Sequence, residues 1–117
     1  WELESIDLAF ALRSNYGTGV EQTVPERSGL HQNVPNPFNP STRISFDLTQ
    51  RGTVDLSVYD VAGRRVTTLL RGPVTAGLHH VTWNGKADSG APATSGVYWY
   101  VLQTSTERMS RRMVLLR

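Results

Sequence analysis

The feature that most limits what this chain can fold into is the alternation of apolar and polar residues in short runs. Such runs cover residues 44–48, 54–58, 78–83 and 97–102, and turn-forming residues separate them. An alternation with a period of two places one set of side chains on each face of a β-strand. No stretch keeps a helical period for longer than about two turns. The sequence therefore predicts an all-β fold, an antiparallel β-sandwich.

The apolar face of each run predicts the core. A chain of 117 residues can bury a sizeable core without covalent support, and the absence of cysteine excludes disulfides and thiolate metal sites. Tyr98 and Tyr100 fall on the same face, so we expect buried rings whose hydroxyls reach the rim. The side chains expected to be buried are Ile44, Phe46, Leu56, Val58, Trp83, Tyr98, Tyr100 and Val114.

A proline-rich segment precedes the first of these runs. Residues 33–40, which we call the strap, contain three prolines within six residues. Proline fixes φ, lacks an amide donor and favours extended geometry in the residue before it, so the strap cannot be a helix or a central strand. We expect Phe38 to dock on the core. We also expect Asn36 and Asn39 to bond the local backbone that the prolines leave unpaired.

The composition changes near residue 14 and divides the chain into two parts. Residues 1–29 begin with a strand-like alternation and continue as a polar stretch typical of a linker. That first strand is either the end of an upstream domain or an extra strand of the main domain, residues 30–117. No signal peptide is visible, so we expect that an export signal lies upstream or that there is none.

Basic residues are concentrated in the second part of the chain. Residues 1–28 contain five acidic and two basic residues, whereas the remainder contains five acidic and ten basic residues. Such a balance is compatible with nucleic acid, but the basic residues are scattered along the predicted strands, which favours a solvated face. No apolar run reaches the roughly 18 residues of a membrane span. We expect no nucleic-acid partner and no membrane span.

Two adjacent histidines, His79 and His80, are the first candidates for catalysis. Neighbouring residues of a strand point to opposite faces, so the two cannot both serve one site. No serine or aspartate stands in the context of a nucleophile elbow. We therefore expect ordinary strand histidines, no enzyme activity and no cofactor.

A polar loop after the third run, residues 78–83, could hold a cation. Its oxygen-bearing side chains occur at alternate positions, and Asn84 and Asp88 are the candidate Ca²⁺ ligands. The loop lacks a bidentate glutamate, and Lys86 lies among these ligands. Because Asn and Asp also close turns by bonding the backbone, we favour turn formation here and at Asp60, without a metal.

Trp99 is a candidate surface aromatic residue. Alternation places it on the face opposite Tyr98 and Tyr100, and exposed aromatic side chains on a sheet mark binding faces. One interpretation is a sugar-stacking platform, as in carbohydrate-binding modules. The other, which we favour, is that residues 1–13 cover the ring, because their apolar strand needs a partner.

The final strand combines apolar residues with arginines. One face carries Met109, Arg111, Met113 and Leu115, and the other carries Ser110, Arg112, Val114 and Leu116. An edge strand of this kind can be captured by another chain through β-augmentation. It can equally be an ordinary edge whose arginines discourage aggregation.

Five segments resemble one family of bacterial domains. Residues 32–42 are similar to the QNYPNPFNPST opening of C-terminal sorting domains of the type IX (Por) secretion system. The related immunoglobulin-like domain of the flagellar hook-cap protein has the same pattern. The other similar segments, in family order, are 58–66 (VYDxxGRxV), 77–85 (AGxHxVxWDG), 95–100 (SGVYxY) and the basic-apolar end at 112–117. Asn84 stands where the family often has Asp, which lowers the expectation of a cation.

The resemblance covers residues 30–117 and implies an immunoglobulin-like or fibronectin-III-like sandwich of about seven strands. It implies a non-catalytic sorting module that the outer-membrane secretion and anchoring machinery recognises. Its cargo would be an upstream catalytic or binding domain of the same polypeptide, secreted or held at the cell surface of a Gram-negative bacterium. The residues expected to be recognised are Arg111, Arg112, Met113, Val114, Leu115, Leu116 and Arg117. The alternatives are a carbohydrate-binding accessory module of a secreted enzyme and a hook-cap-like structural domain.

Overall fold

Two antiparallel sheets make up residues 27–117, the part of the chain that the computed structural model describes. The strands are β1 (Gly29–Leu30), β2 (Thr42–Leu48), β3 (Gly52–Tyr59), β4 (Arg65–Val74), β5 (Gly77–Trp83), β6 (Gly96–Gln103) and β7 (Arg108–Leu115). One sheet has the order β1-β2-β5 and the other the order β4-β3-β6-β7. The predicted all-β sandwich of about seven strands is confirmed.

The turn between β3 and β4 shows how local sequence fixes a hairpin. The Asp60 carboxylate accepts hydrogen bonds from the amides of Ala62 and Arg64, both at 2.9 Å. Gly63 has a φ of 82°, a left-handed conformation that glycine adopts without a steric penalty. The expectation that Asp60 closes a turn is therefore confirmed.

The core lies between the two sheets, where the inward residues of each strand meet. Seven of the eight side chains expected to be buried are buried, including Trp83 and both tyrosines. Val114 is the exception, because it is only partly buried, whereas Met113 and Leu115 on either side of it are fully buried. The register pairs Met113 with Tyr98, so the face of β7 that carries Met113 points into the core.

The strand β1 marks the start of the sandwich. Gly29 pairs with Asp47 and Leu30 pairs with Phe46, so the sandwich includes Gly29, which stands one residue before the predicted domain boundary. The predicted strand and linker before it, up to residue 26, lie outside the described residues. The described residues form strands and turns, and they contain no helix that could span a membrane.

Candidate functional site: the strap and the final strand

The strap docks on the core through Phe38, as expected from the sequence. The Phe38 side chain is 2% exposed, and its ring centroid lies 5.7 Å from that of Trp83. Trp83 in turn packs edge-on against Tyr98, with ring centroids 5.5 Å apart. Tilted and edge-on aromatic pairs of this kind stabilise a core beyond the area that they bury. The strap is therefore part of the hydrophobic core.

The backbone of the strap also pairs with the outer edge of β7. The Phe38 amide donates to the Val114 carbonyl at 3.0 Å, and the Leu116 amide donates to the Phe38 carbonyl at 2.9 Å. These two bonds make a short parallel bridge, so one residue of the strap acts as a further strand of the four-stranded sheet.

Two amide side chains extend this pairing along the same edge. The Val114 amide donates to the side-chain oxygen of Asn36 at 3.0 Å, and Gln32 Nε2 donates to the Arg112 carbonyl at 2.9 Å. The sequence predicted that Asn36 would bond the local backbone, but its partner lies 78 residues away. The outer edge of β7 from Arg112 to Leu116 is therefore already bonded to the strap and to Gln32.

A buried polar cluster fixes where the strap begins. The Tyr100 hydroxyl donates to the His31 carbonyl at 2.6 Å and accepts from the Asn33 amide at 2.8 Å. Burial raises the pKa of Tyr100, which keeps the hydroxyl protonated and able to donate. Asn33, which is 1% exposed, donates from its side chain to Thr42 Oγ1 at 2.9 Å. Sequence reasoning missed Asn33, because an asparagine beside prolines reads as a turn residue.

The residues expected to be recognised in the final strand divide into two groups. Met113 and Leu115 are core residues, and Arg111 Nε donates to the Leu30 carbonyl, so these three side chains hold the sandwich together. Arg112 and Leu116 point outwards, and Leu116 is 52% exposed. Within β7 and its end, these two side chains remain accessible to a partner, together with the partly buried Val114.

Arg117 also has a structural role. Its Nη2 atom donates to the Gly85 carbonyl at 2.6 Å, and its Nε atom donates to the Ala93 carbonyl. Its backbone amide donates to Ser95 Oγ at 2.8 Å. The guanidinium therefore ties the end of the chain to the loop between β5 and β6. Sequence reasoning missed this role, since nothing local to residue 117 indicates its partners.

The candidate cation ligands in that loop are engaged with the protein. The Asn84 side-chain oxygen accepts from the Lys86 amide at 3.1 Å, which closes the turn as expected. Asp88 instead reaches β4, where its carboxylate accepts from Thr67 Oγ1 at 2.6 Å, and this bond lowers the pKa of Asp88. Among the residues that the structure describes, no three metal-ligating side chains come together.

The two histidines of β5 lie on opposite faces, as expected. The His79 ring stacks on Phe46, with centroids 5.2 Å apart, and bonds the Thr75 carbonyl through Nε2. His80 is exposed and bonds Ser45 Oγ through Nδ1 at 2.7 Å. The structure therefore does not bring the two rings into one site.

Trp99 lies on the outer face of the four-stranded sheet and is partly buried. It borders a hollow of about 350 Å³ whose wall also includes Tyr59, Val61 and Arg108. Val61 is 74% exposed beside it. Residues 1–13, the predicted cover for this ring, lie outside the described residues.

A known family matches this architecture. Residues 33–108 match the model of the FlgD Ig-like domain, which covers more than half of the chain, so the chain belongs to that family. The immunoglobulin-like fold is thereby confirmed. No curated protein has a significantly similar sequence.

Solved structures of three proteins share the fold. Dimeric latent PorU from Porphyromonas gingivalis is 19% identical with a TM-score of 0.62, and the match covers 83% of this chain and 10% of that chain. PorZ, a surface component of the type IX secretion system of the same organism, is 22% identical with a TM-score of 0.54, covering 76% and 12%. FlgD from Pseudomonas aeruginosa is 23% identical with a TM-score of 0.51, covering 80% and 74%. The chain thus spans only about a tenth of PorU and PorZ, and these likenesses concern the fold.

Proposed function

We propose that this domain is a non-catalytic sorting module of an exported bacterial protein. In this proposal the outer-membrane secretion and anchoring machinery recognises the domain, and an upstream domain of the same polypeptide is the cargo. The site of action is the outside of a Gram-negative cell, where the protein is secreted or retained at the surface. Support comes from the FlgD Ig-like family match and from the occurrence of the same fold in PorU and in PorZ, of which PorZ is a surface component of the type IX secretion system.

One structural observation carries the proposal furthest. The strap and the final strand, which hold the first and last of the family-like segments, are hydrogen-bonded to each other along one edge of the sheet. Their joint surface exposes Arg112 and Leu116. Backbone capture of β7 by a translocon strand would require the strap to leave. The proposed mode of recognition is therefore contact with these exposed side chains on a folded domain.

The role of the accessible side chains can be tested by export. The domain is fused to a periplasm-stable reporter in a host with a type IX system, and reporter at the surface is compared with reporter in the periplasm. We expect the Arg112→Ala, Leu116→Ala double variant to accumulate in the periplasm. Both changes lie on the surface, and each should alter stability by less than ~0.5 kcal/mol. Urea unfolding of the purified variant verifies this.

A matched control separates recognition from a general loss of charge and apolar surface. Arg51 lies in the turn before β3, and Leu78 on β5 is 56% exposed, so Arg51→Ala with Leu78→Ala removes the same side-chain types elsewhere. We expect this control variant to reach the surface at the same level as the wild-type domain. Export of the Arg112, Leu116 variant at the wild-type level would refute the proposed address. Deletion of residues 111–117 is less informative, since it also removes core residues.

A structural role is the second candidate, and the FlgD match favours it. That match covers 74% of the FlgD chain from Pseudomonas aeruginosa. A hook-cap-like domain would act by assembling with further copies of protein rather than by directing export. Sedimentation of the purified chain over a concentration series distinguishes the two. A stable monomer is expected of a sorting module, and a concentration-dependent oligomer is expected of an assembly domain.

A further inference from the structure

A row of four side chains crosses the outer face of the four-stranded sheet. The strand registers place Arg65 of β4 opposite Tyr59 of β3, Tyr59 opposite Trp99 of β6, and Trp99 opposite Arg112 of β7. Residues in register on adjacent strands share a face and lie about 4.8 Å apart, so the row is about 14 Å long. Its sequence across the sheet is basic, aromatic, aromatic, basic.

Within residues 27–117, the row is open to solvent. Both arginines are exposed and both aromatic residues are partly exposed. The hollow of about 350 Å³ opens beside Tyr59 and Trp99, with Arg108 and Ser110 on its wall. A volume of that size is at the lower end of the range for small-ligand sites, comparable with one or two sugar units.

Three carboxylates lie near this face. Asp60 lines the hollow, and Asp55 and Asp88 lie close enough to Arg65 for its positive charge to help lower their pKa values. The Asp60 carboxylate is occupied by the backbone of its own turn, and Asp88 is bonded to Thr67. Asp55 forms an ion pair with Arg71, and these two residues lie opposite each other on β3 and β4, beside the row. The guanidinium groups of Arg65 and Arg112 carry none of the ion pairs found within residues 27–117. The row therefore has one guanidinium at each end of two aromatic rings, and the carboxylates of Asp55 and Asp88 offset part of the charge of Arg65.

We infer that this row binds an anionic polysaccharide, with sugar rings on Tyr59 and Trp99 and carboxylate groups on Arg65 and Arg112. Aromatic rings pack against the apolar faces of sugars, and the planar guanidinium pairs with carboxylates through two parallel hydrogen bonds. The charge pattern selects an acidic polymer over a neutral one. This site shares Arg112 with the proposed export address, but binding of the polysaccharide needs no secretion machinery and can be measured on the purified chain.

The inference is tested on the purified chain by affinity electrophoresis in gels that contain polygalacturonate. Highly methyl-esterified pectin is the neutral counterpart, because it has the same sugar backbone with its carboxylates masked. We expect retardation by polygalacturonate and not by the esterified polymer. Trp99→Ala, and Arg65→Gln with Arg112→Gln, should each weaken the apparent affinity roughly tenfold or more. Circular dichroism and urea unfolding establish that each variant is folded.

A charge-matched control and a competitor make the result decisive. Arg43→Gln with Arg51→Gln removes two exposed arginines from the other sheet and a turn, and this variant should bind as wild type. Equal weakening in this control would overturn the inference, because binding would then follow net charge alone. Absence of retardation would overturn it as well. So would displacement by single-stranded oligothymidine at lower concentration than by oligogalacturonate, which would identify a nucleic-acid surface.

Discussion

The outermost strands of the four-stranded sheet, β7 and β4, both present backbone groups that no full strand covers in the described part of the chain. At β7 the strap supplies a bridge through Phe38, and Asn36 and Gln32 add side-chain bonds. At β4 the loop residue Asp88 covers only the first part, where its amide donates to the Val66 carbonyl at 3.1 Å. The rest of β4 relies on Arg71 and Pro73, residue types that discourage edge pairing.

The two edges also differ in the chemistry that holds them. The bonds along β7 come from neutral backbone and amide groups and are reinforced by a buried aromatic ring. Several bonds around β4 involve carboxylates: Asp55 accepts from Arg71, Asp60 from the Arg64 amide, and Asp88 from Thr67. The β7 edge is therefore held by groups that do not titrate, whereas the turn and the loop beside β4 are held partly by carboxylates.

The largest expected effect comes from removing the aromatic anchor of the strap. Phe38→Ala should lower the free energy of unfolding by about 3–5 kcal/mol, because it leaves a cavity beside Trp83. Val34→Ala is the matched control in the same strap. Val34 is 64% exposed, so this change should cost less than ~0.5 kcal/mol. Urea unfolding measures both, and a loss below ~1 kcal/mol for Phe38→Ala would show that the strap is a passive linker.

Two glycines in turns allow a further comparison: Gly85, in the loop after β5, lies close to the strap, and Gly63 lies in the turn before β4. A Cβ on Gly85 would lie 2.7 Å from the Pro40 carbonyl oxygen and 2.9 Å from Arg117 Nη2, whereas a Cβ on Gly63 meets nothing within 4 Å. Both glycines have positive φ, which costs an alanine about 1–2 kcal/mol. Gly85→Ala adds overpacking and should cost roughly 2–5 kcal/mol in total. Equal thermal unfolding of the two variants would contradict the close approach at Gly85.

Substitution of two arginines, Arg117 and Arg112, distinguishes a residue that stabilises the fold from one that is proposed to be recognised. Arg117→Ala removes two bonds from a charged donor to backbone carbonyls and should destabilise the domain by about 1.5–3 kcal/mol. Arg112→Ala should stay within ~0.5 kcal/mol, since its side chain is exposed. Denaturant titrations that give equal values for the two variants would refute this division of roles.

Acidification should weaken the hydrogen bonds of the carboxylates beside β4 before it affects the bonds along β7. Bonds from the Arg64 amide and from Thr67 lower the pKa values of Asp60 and Asp88. For Asp55, burial raises the pKa, but bonds from Ser57 and Arg71 outweigh it and the net shift is downwards. A lowered pKa stabilises the fold above the unfolded value of about 3.9, and the contribution is lost as pH falls through the folded value.

Amide hydrogen exchange can follow this loss below about pH 4, after correction for intrinsic exchange rates. We expect the protection of the Ala62, Arg64 and Thr68 amides to fall, because each donates to a carboxylate. The Val114 amide, bonded to Asn36, should keep its protection over the same pH range. Parallel losses at all four amides would show that the two edges are not held differently.

The sequence predicted the parts of this structure that depend on local pattern. Alternation identified β2, β3, β5 and β6 and all of the expected core except Val114, because β7 has apolar residues on both faces and only its register with β6 shows which face is inside. Phe38 was predicted to dock because the prolines fix the backbone of the strap, and its aromatic ring is stabilised by burial in the core. The partners of Asn36 and Arg117 could not be predicted, since they lie 78 and more than 20 residues away and no local preference encodes such contacts.

The central claim is that the strap closes the outer edge of β7, and amide hydrogen exchange of the wild-type chain at neutral pH tests it most directly. Within residues 27–117, the amides of Val114 and Leu116 face away from β6 and have no partner other than the strap. If the strap closes this edge, both amides exchange as slowly as the paired amides of β6, and far more slowly than the outward amides of residues 69–74 in β4. Exchange of Val114 and Leu116 as fast as those β4 amides would contradict the claim.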